Sequence, residues 1–469
     1  MKYQTPNLTL LDNTAADYEE AKTLAETCYN SITTCLHSLG IDVTPDGYKV
    51  SPVNMVFDYV MPEGVSYKSV QDLTKDLGVA VGQEVKVFQR GEKSGVFSVS
   101  VVRNNRTYYG IREILEGKEY TSAKSPLTVA AGIGELAEDV VFDLAEAPHL
   151  LITGATGTGK TVFLDDIILS IVCKASPAQV KMVLIDPGID LEVYEGLPHL
   201  LFEPLSRKDD VYEAVSYVKE LVDKRYEVLL KAGARSIEAY NGSAQNKLPH
   251  VVIIIDKYLE FTYEMPQDFE DLIKSIARKG RAAGVHLVIN AQSSRSEFVS
   301  GEIKANIPYR IAFSVSDWHE SKAALDRTGA QRLLGNGDML LATGADNAPV
   351  HIQAPHVSLE EIERVVDDVI KKNGSAKYEF DFDADRPPIE FNLEYIVEIL
   401  EAISQTRAVD VFFIQKKLMV DYSEASDVIR FLEENSLVSQ YNGGKKRTVD
   451  LEAVNRMLEE FRYELSSGQ

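Results

Sequence analysis

The chain has 469 residues, room for two to four domains of about 100–200 residues each. At 45% hydrophobic and 26% charged, it is excluded from the collagen-like, coiled-coil and disordered classes. Its net charge of −23 excludes a broad basic surface for nucleic acid, though not positive charge confined to a narrow channel. Cys28, Cys35 and Cys173 fit no zinc spacing and read as reduced thiols.

Residues 1–20 are polar and acidic and read as a loose tail without the features of a secretory signal, so a cytoplasmic chain is expected. Ala25, Cys28, Tyr29, Ile32 and Leu36 have helical spacing over 21–39. Residues 53–60, 84–88 and 96–102 read as strands, with a helix over 68–76 between them. Residues 21–125 are therefore expected to form a small α+β domain. Continuous apolar runs at 150–152, 182–185, 251–255, 287–289 and 310–313 predict strands buried on both faces. Residues 126–373 thus predict a parallel sheet covered by helices. An acidic, proline-bearing linker follows over 374–390. In 391–469, segments Phe412–Met419 and Ser423–Asn435 are spaced as a helix–turn–helix. A turn at 441–444 and residues 448–450 suggest a hairpin wing. No run of about 18 apolar residues is present to span a membrane.

The most informative segment is Gly154-Ala155-Thr156-Gly157-Thr158-Gly159-Lys160-Thr161, which spells G-x-x-x-x-G-K-T. An apolar run precedes it and an amphipathic helix pattern follows, so the context is strand, loop, helix. The glycines let backbone N–H groups turn inward toward phosphate oxygens, and the helix N-terminus adds partial positive charge. Lys160 is the candidate for the β- and γ-phosphates of ATP, and Thr161 for Mg²⁺.

Further motifs follow in order. They are Ile185-Asp186-Pro187, the Tyr194-Glu195-Gly196-Leu197-Pro198-His199 run, Lys224-Arg225-Tyr226 and Ala239-Tyr240-Asn241. Gly280-Arg281 with Gly284 and His286, the stretch from Gly301 to Phe313, and Leu333 to Leu340 complete the set. In order and spacing these resemble the FtsK/SpoIIIE family of DNA translocases, over nearly the whole chain. The resemblance implies an α/β fold: a RecA-like P-loop NTPase motor with a small N-terminal α+β domain and a C-terminal winged-helix domain. It also implies a homo-oligomeric ring, a hexamer, around double-stranded DNA, with ATP and Mg²⁺ used at subunit interfaces. The family's membrane anchor has no counterpart here, which leaves open a separate membrane partner.

The resemblance places Asp256 as the acid that holds the Mg²⁺ shell. The family's next residue is a Glu that acts on the attacking water, and here it is Lys257. A protonated ammonium cannot be a general base. Glu260 or Asp186 are the alternatives. Gln292 keeps the position of a γ-phosphate sensor, or serves as a structural amide. Arg281 and Arg310 are candidates for a charge delivered across a subunit interface, or for salt-bridge partners. On the DNA side, Arg295, Lys445, Lys446 and Arg447 are the candidate phosphate contacts, and Lys416 and Lys417 read as surface lysines. Glu424 and Asp427 stand where the family's recognition helix reads bases, so base reading is expected to be lost. Three functional readings remain: a double-stranded DNA translocase with hydrolysis impaired by Lys257, an ATP-binding ring scaffold, and a DNA-coupling ATPase of a mobile element or conjugation system.

Overall fold

The computed structural model describes residues 3–14, 19–51, 54–89, 95–103, 109–188, 190–265, 268–292, 299–344, 348–380, 382, 391–420, 422–439 and 447–467. Four antiparallel strands, β1 (Thr44–Val50), β2 (Asn54–Val60), β3 (Val85–Gln89) and β4 (Val96–Val102), form a sheet in the order β1-β2-β4-β3. The helix Glu19–Ser38 covers it. Ala25, Cys28, Ile32 and Leu36 recur every three or four residues along that helix and are buried against Phe57, Tyr59, Phe97 and Val99. The expected helix over 68–76 is two short helices, Tyr67–Gln71 and Thr74–Val81.

The large sheet has nine strands: β5 (Thr128–Gly134), β6 (Asp139–Asp143), β7 (Leu150–Thr153), β8 (Val180–Ile185), β9 (His250–Ile255), β10 (Val285–Ala291), β11 (Tyr309–Phe313), β12 (Asp338–Thr343) and β13 (Val350–Gln353). Their order is β6-β5-β13-β12-β11-β7-β10-β9-β8. The five strands expected from apolar runs, β8-β9-β10-β7-β11, are parallel. The other four extend the sheet antiparallel, so it is mixed rather than wholly parallel. Their sequences hid them: β5 is broken by Gly132 at a bulge, where a Cβ would run into the Gln353 carbonyl, and β13 is half polar.

Three expected boundaries move. The first residues are not a loose tail. Tyr3 Oη donates to the Val172 carbonyl at 2.8 Å, Leu11 is buried in the core, and Asp12 pairs with Arg364. Residues 109–122 belong to the large unit, since Ile111, Ile114, Leu115 and Tyr120 lie in its core. The start of the expected linker is also docked. Tyr378 Oη accepts from Gly196 N at 3.0 Å, and Phe380 and Phe382 pack on Phe202.

The small sheet meets the large one at Glu135. Its carbonyl accepts from Asn54 and Ser100, and its carboxylate pairs with Lys86 and with His351 Nδ1 at 2.7 Å. His351 Nε2 lies 2.5 Å from Asp338 Oδ1. The C-terminal residues form a separate core from the helices Leu393–Ile403, Val411–Leu418, Tyr422–Glu434 and Leu451–Ser467. A two-residue ribbon, β14 (Ala408–Val409) with β15 (Arg447–Thr448), joins them.

Two stability outcomes follow. Leu11→Ala should cost about 2–5 kcal/mol in urea unfolding, as for a core leucine and not a tail residue. For His351, burial opposes the charge, but Asp338 and Glu135 raise its pKa from the ordinary 6.5 to about 9. The contribution of the charged pair is therefore full below pH 6.5 and is lost as pH rises through about 9. The stability gap between the parent and His351→Gln should shrink over that window.

Candidate functional site: a phosphate loop facing a buried carboxylate

The loop from Gly154 to Gly159 leaves the C-terminal end of β7 and opens directly into the helix Lys160–Lys174. Gly154, Gly157 and Gly159 all have positive φ, at 152°, 77° and 109°. Packing adds a second constraint at two of them. A Cβ on Gly154 would lie 2.7 Å from Phe313 Cβ, and one on Gly159 would lie 2.9 Å from Gly337 N. Two backbone hydrogen bonds hold the loop to its neighbours: Ala155 N to the Ser314 carbonyl and Gly337 N to the Thr158 carbonyl, each 2.9 Å. The loop is thus a fixed cradle, which is what binding through backbone N–H groups requires.

A cleft of about 640 Å³ opens over the loop, within the range of small-molecule and cofactor sites. Thr156, Gly157, Gly159, Lys160 and Thr161 line it, with Asp256, Lys257, Asn290 and Gln292 on the facing side. Lys160 is mostly buried, and its Nζ donates to the Ala155 carbonyl at 2.9 Å. Burial lowers its pKa, and the charge of Asp256 opposes that shift.

Asp256 follows β9 and has no solvent exposure. Burial raises its pKa and the charge of Asp186 adds to the rise, while Lys257 and Asn290 oppose it. Asn290 Nδ2 and Lys257 N donate to Oδ1 at 2.5 and 2.8 Å. Thr161 Oγ1 lies 3.4 Å from Oδ2. One hydroxyl and one carboxylate beside a phosphate cradle are hard oxygen donors suited to Mg²⁺. β10 sits between β7 and β9, so Asn290 bridges the loop strand and the acid strand.

Lys257 has φ 48°, a left-handed conformation uncommon for a residue other than glycine. Its Nζ pairs with Asp186 Oδ1 and Asp190 Oδ2, each at 2.9 Å. Burial works against its charge, but the two aspartates raise its pKa above the ordinary lysine value. A Cβ on Gly188 would run into Nζ, so that glycine makes the space for the ammonium. Asp186 is also bonded by Gly188 N, Asp190 N and Leu191 N. With Lys257, four donors meet its roughly four acceptor sites.

The structure brings Lys160, Thr161, Asp256, Lys257 and Gln292 together around one cleft. Arg281 is exposed on the helix Asp268–Ala283 and does not line the cleft. Arg310 takes the salt-bridge role, the second of its two expected readings. Its guanidinium pairs with Asp326 at 2.6 Å and donates to the Lys304 and Ile307 carbonyls, closing the end of the helix Gly301–Asn306. Arg447, a candidate phosphate contact by sequence, is tied to two acids here. It is buried between Glu433 and Glu195, at 3.0 and 3.8 Å. Glu260 is exposed and does not line the cleft. Arg295, Lys445 and Lys446 lie outside the described residues. Asn290 and Asp190 were missed from the sequence, and the turn Leu334–Gly337 was singled out as a motif without its place at the cleft. Asn290 stands two places before Gln292, and its polarity within an apolar strand was the available signal.

A glycine-cradled loop at the start of a helix, facing an acid at the end of a nearby parallel strand, defines a P-loop nucleotide-binding protein. The FtsK/SpoIIIE family profile matches residues 110–296. The DNA translocase FtsK of Caldanaerobacter subterraneus subsp. tengcongensis is 33% identical over 476 residues, covering 98% of this chain and 66% of that protein. The DNA translocase SpoIIIE of Bacillus subtilis is 32% identical over 471 residues, covering 95% and 59%. The chain belongs to the FtsK/SpoIIIE family. It spans less than two thirds of the length of these relatives. Among solved structures, the pCW3 conjugation coupling protein TcpA in its monomer form with ATPγS matches with a TM-score of 0.52 at 18% identity. That match covers 73% of this chain and 99% of that one. The cytoplasmic domain of the Thermomonospora curvata type VII secretion ATPase EccC matches with a TM-score of 0.50 at 23% identity, covering 60% and 36%. These two likenesses carry the fold alone.

Gly159→Ala should strain the loop and abolish binding of a fluorescent ATP analogue. Gly242→Ala, which meets nothing within 4 Å, should leave that binding unchanged.

Proposed function

We propose that the chain is the ATP-dependent motor of a double-stranded DNA translocase, with RecA-like domains acting as a hexameric ring and with slow intrinsic hydrolysis. The observation that carries the reading is the convergence of Lys160, Thr161, Asp256 and Gln292 on one cleft. The family supplies the cargo: its relatives here are DNA translocases. Lys160 holds the β- and γ-phosphates. Thr161 and Asp256 hold Mg²⁺, which supplies charge neutralisation on those phosphates. Gln292 senses the γ-phosphate, and Arg281, exposed on its helix, is the charge offered to a neighbouring subunit. The C-terminal unit is read as a winged helix, with backbone contact through Lys445 and Lys446. No helix among the described residues is long and apolar enough to cross a membrane. A cytoplasmic location is proposed from the DNA translocase relatives.

Lys257 supports slow hydrolysis. Its ammonium is held by two carboxylates and cannot take a proton from water. Asp186 has its acceptor sites filled and is no substitute base. The second reading, an ATP-binding ring scaffold, is favoured by the same clamp.

Lys257→Glu alone sets a fourth carboxylate beside Asp186, Asp190 and Asp256. The informative variant joins it to Asp190→Asn. That pair should raise DNA-stimulated ATP turnover by about 10²-fold or more, the scale of a restored general base. Lys160→Ala should lose nucleotide binding. Brisk DNA-stimulated hydrolysis by the unaltered chain would refute the slow-motor reading. Light scattering with Mg-ATP and duplex DNA should show a ring, and a strict monomer under every condition would count against the motor.

A further inference from the structure

We infer that the Lys86–Glu135–His351–Asp338 chain couples the small α+β domain to the phosphate loop, making His351 and Asp338 positioning residues for nucleotide. The inference rests on the nucleotide-site reading above and adds to it a route by which a second domain acts on that site.

Every step of the route is a direct contact. On the small sheet, Lys86 from β3 pairs with the Glu135 carboxylate. Asn54 at the start of β2 and Ser100 from β4 donate to the Glu135 carbonyl at 3.5 and 3.2 Å. One residue of the large unit therefore gathers side chains from three of the four small-sheet strands. Glu135 Oε1 passes to His351 Nδ1 at 2.7 Å, and His351 Nε2 to Asp338 Oδ1 at 2.5 Å. Both ring nitrogens face carboxylates, so both carry hydrogen and the ring is a cation bridging two acids.

Asp338 uses its second oxygen on the cleft. Oδ2 accepts from Leu334 N at 2.9 Å, and Asp338 N donates to the Gly335 carbonyl at 3.1 Å. These bonds close the turn Leu334–Gly337, which lines the cleft. Gly337 N then donates to the Thr158 carbonyl inside the loop. The turn is also tied to β13 and the residue after it: Gln353 Nε2 donates to the Asn336 carbonyl and Ala354 N to the Gly337 carbonyl, each at 2.8 Å. A shift of the small domain that pulls on Glu135 is passed through His351 and Asp338 to the loop backbone. By linkage, nucleotide on the loop biases the small domain in return.

The test uses the full chain and a fluorescent ATP analogue with Mg²⁺. Lys86→Ala lies outside the cleft and removes a half-exposed side chain, so it leaves the fold intact. It should weaken analogue affinity about fivefold or more, the lower end of measured site-to-site coupling. In a His351→Gln background the same change should have no further effect. His351→Arg keeps a cation between the acids and should bind near the parent level. Coupling is refuted if Lys86→Ala binds like the parent, or if the effects of Lys86→Ala and His351→Gln multiply as independent losses. Lys160→Ala is the separating control: if it too binds like the parent, the nucleotide-site reading falls first and the coupling falls with it.

Discussion

A carboxylate without solvent access needs partners, and at the end of β9 the partners define the site. Asp256 is buried in a setting that pushes its proton affinity up, with Asp186 adding repulsion from β8. The backbone N–H of Lys257 and the amide of Asn290 keep its charge affordable on one oxygen. The other oxygen is left toward Thr161 and the loop. The strand order makes this possible. β10 lies between β7 and β9, and one polar residue on β10 spans the gap between loop and acid.

The same charge problem accounts for Lys257. Asp186, Asp190 and Asp256 bring ligand oxygens within 4.8 Å of one another, a concentration of negative charge that requires a cation. The chain supplies that cation from within, through an ammonium seated against Gly188. Lys257 is therefore not an isolated departure from a family pattern. It, Gly188 and Asp190 form one arrangement, in which each residue makes sense only with the other two.

The loop and the five parallel strands were legible in the sequence because local signals carried them. Gly154, Gly157 and Gly159 announce positive φ, and runs such as 251–255 announce strands buried on both faces. Two of the C-terminal unit's helices, Val411–Leu418 and Tyr422–Glu434, were legible by spacing, within a residue or two of their observed ends. The antiparallel half of the sheet was not. β5, β6 and β13 are partly polar or glycine-broken, and tertiary pairing rather than pattern makes them strands. The strap at residues 3–14 was hidden for a similar reason. Its polar composition suggests solvent, but Tyr3 and Leu11 are enough to fasten it. The Asn290–Asp256 and Glu135–His351 contacts join residues 34 and 216 positions apart, separations that no window of sequence spans.

Charge in the C-terminal unit follows the same logic of internal pairing. Its third helix, Tyr422–Glu434, carries Glu424 and Asp427 where phosphate contact would call for cations. Asp427 instead pairs with Arg207, the residue that precedes the long helix Lys208–Ala232 of the large unit. Arg447, which reads as a basic wing residue, is held between Glu433 and Glu195. A buried arginine between two carboxylates is costly to separate, because pulling either acid away leaves charge without compensation. Acidic letters in a helix that resembles a DNA reader and a basic letter in the neighbouring ribbon are thus two sides of one arrangement. Asp427 and Arg447 both serve contact with the large unit, and the −23 net charge of the chain is consistent with a surface that offers no broad basic face to nucleic acid.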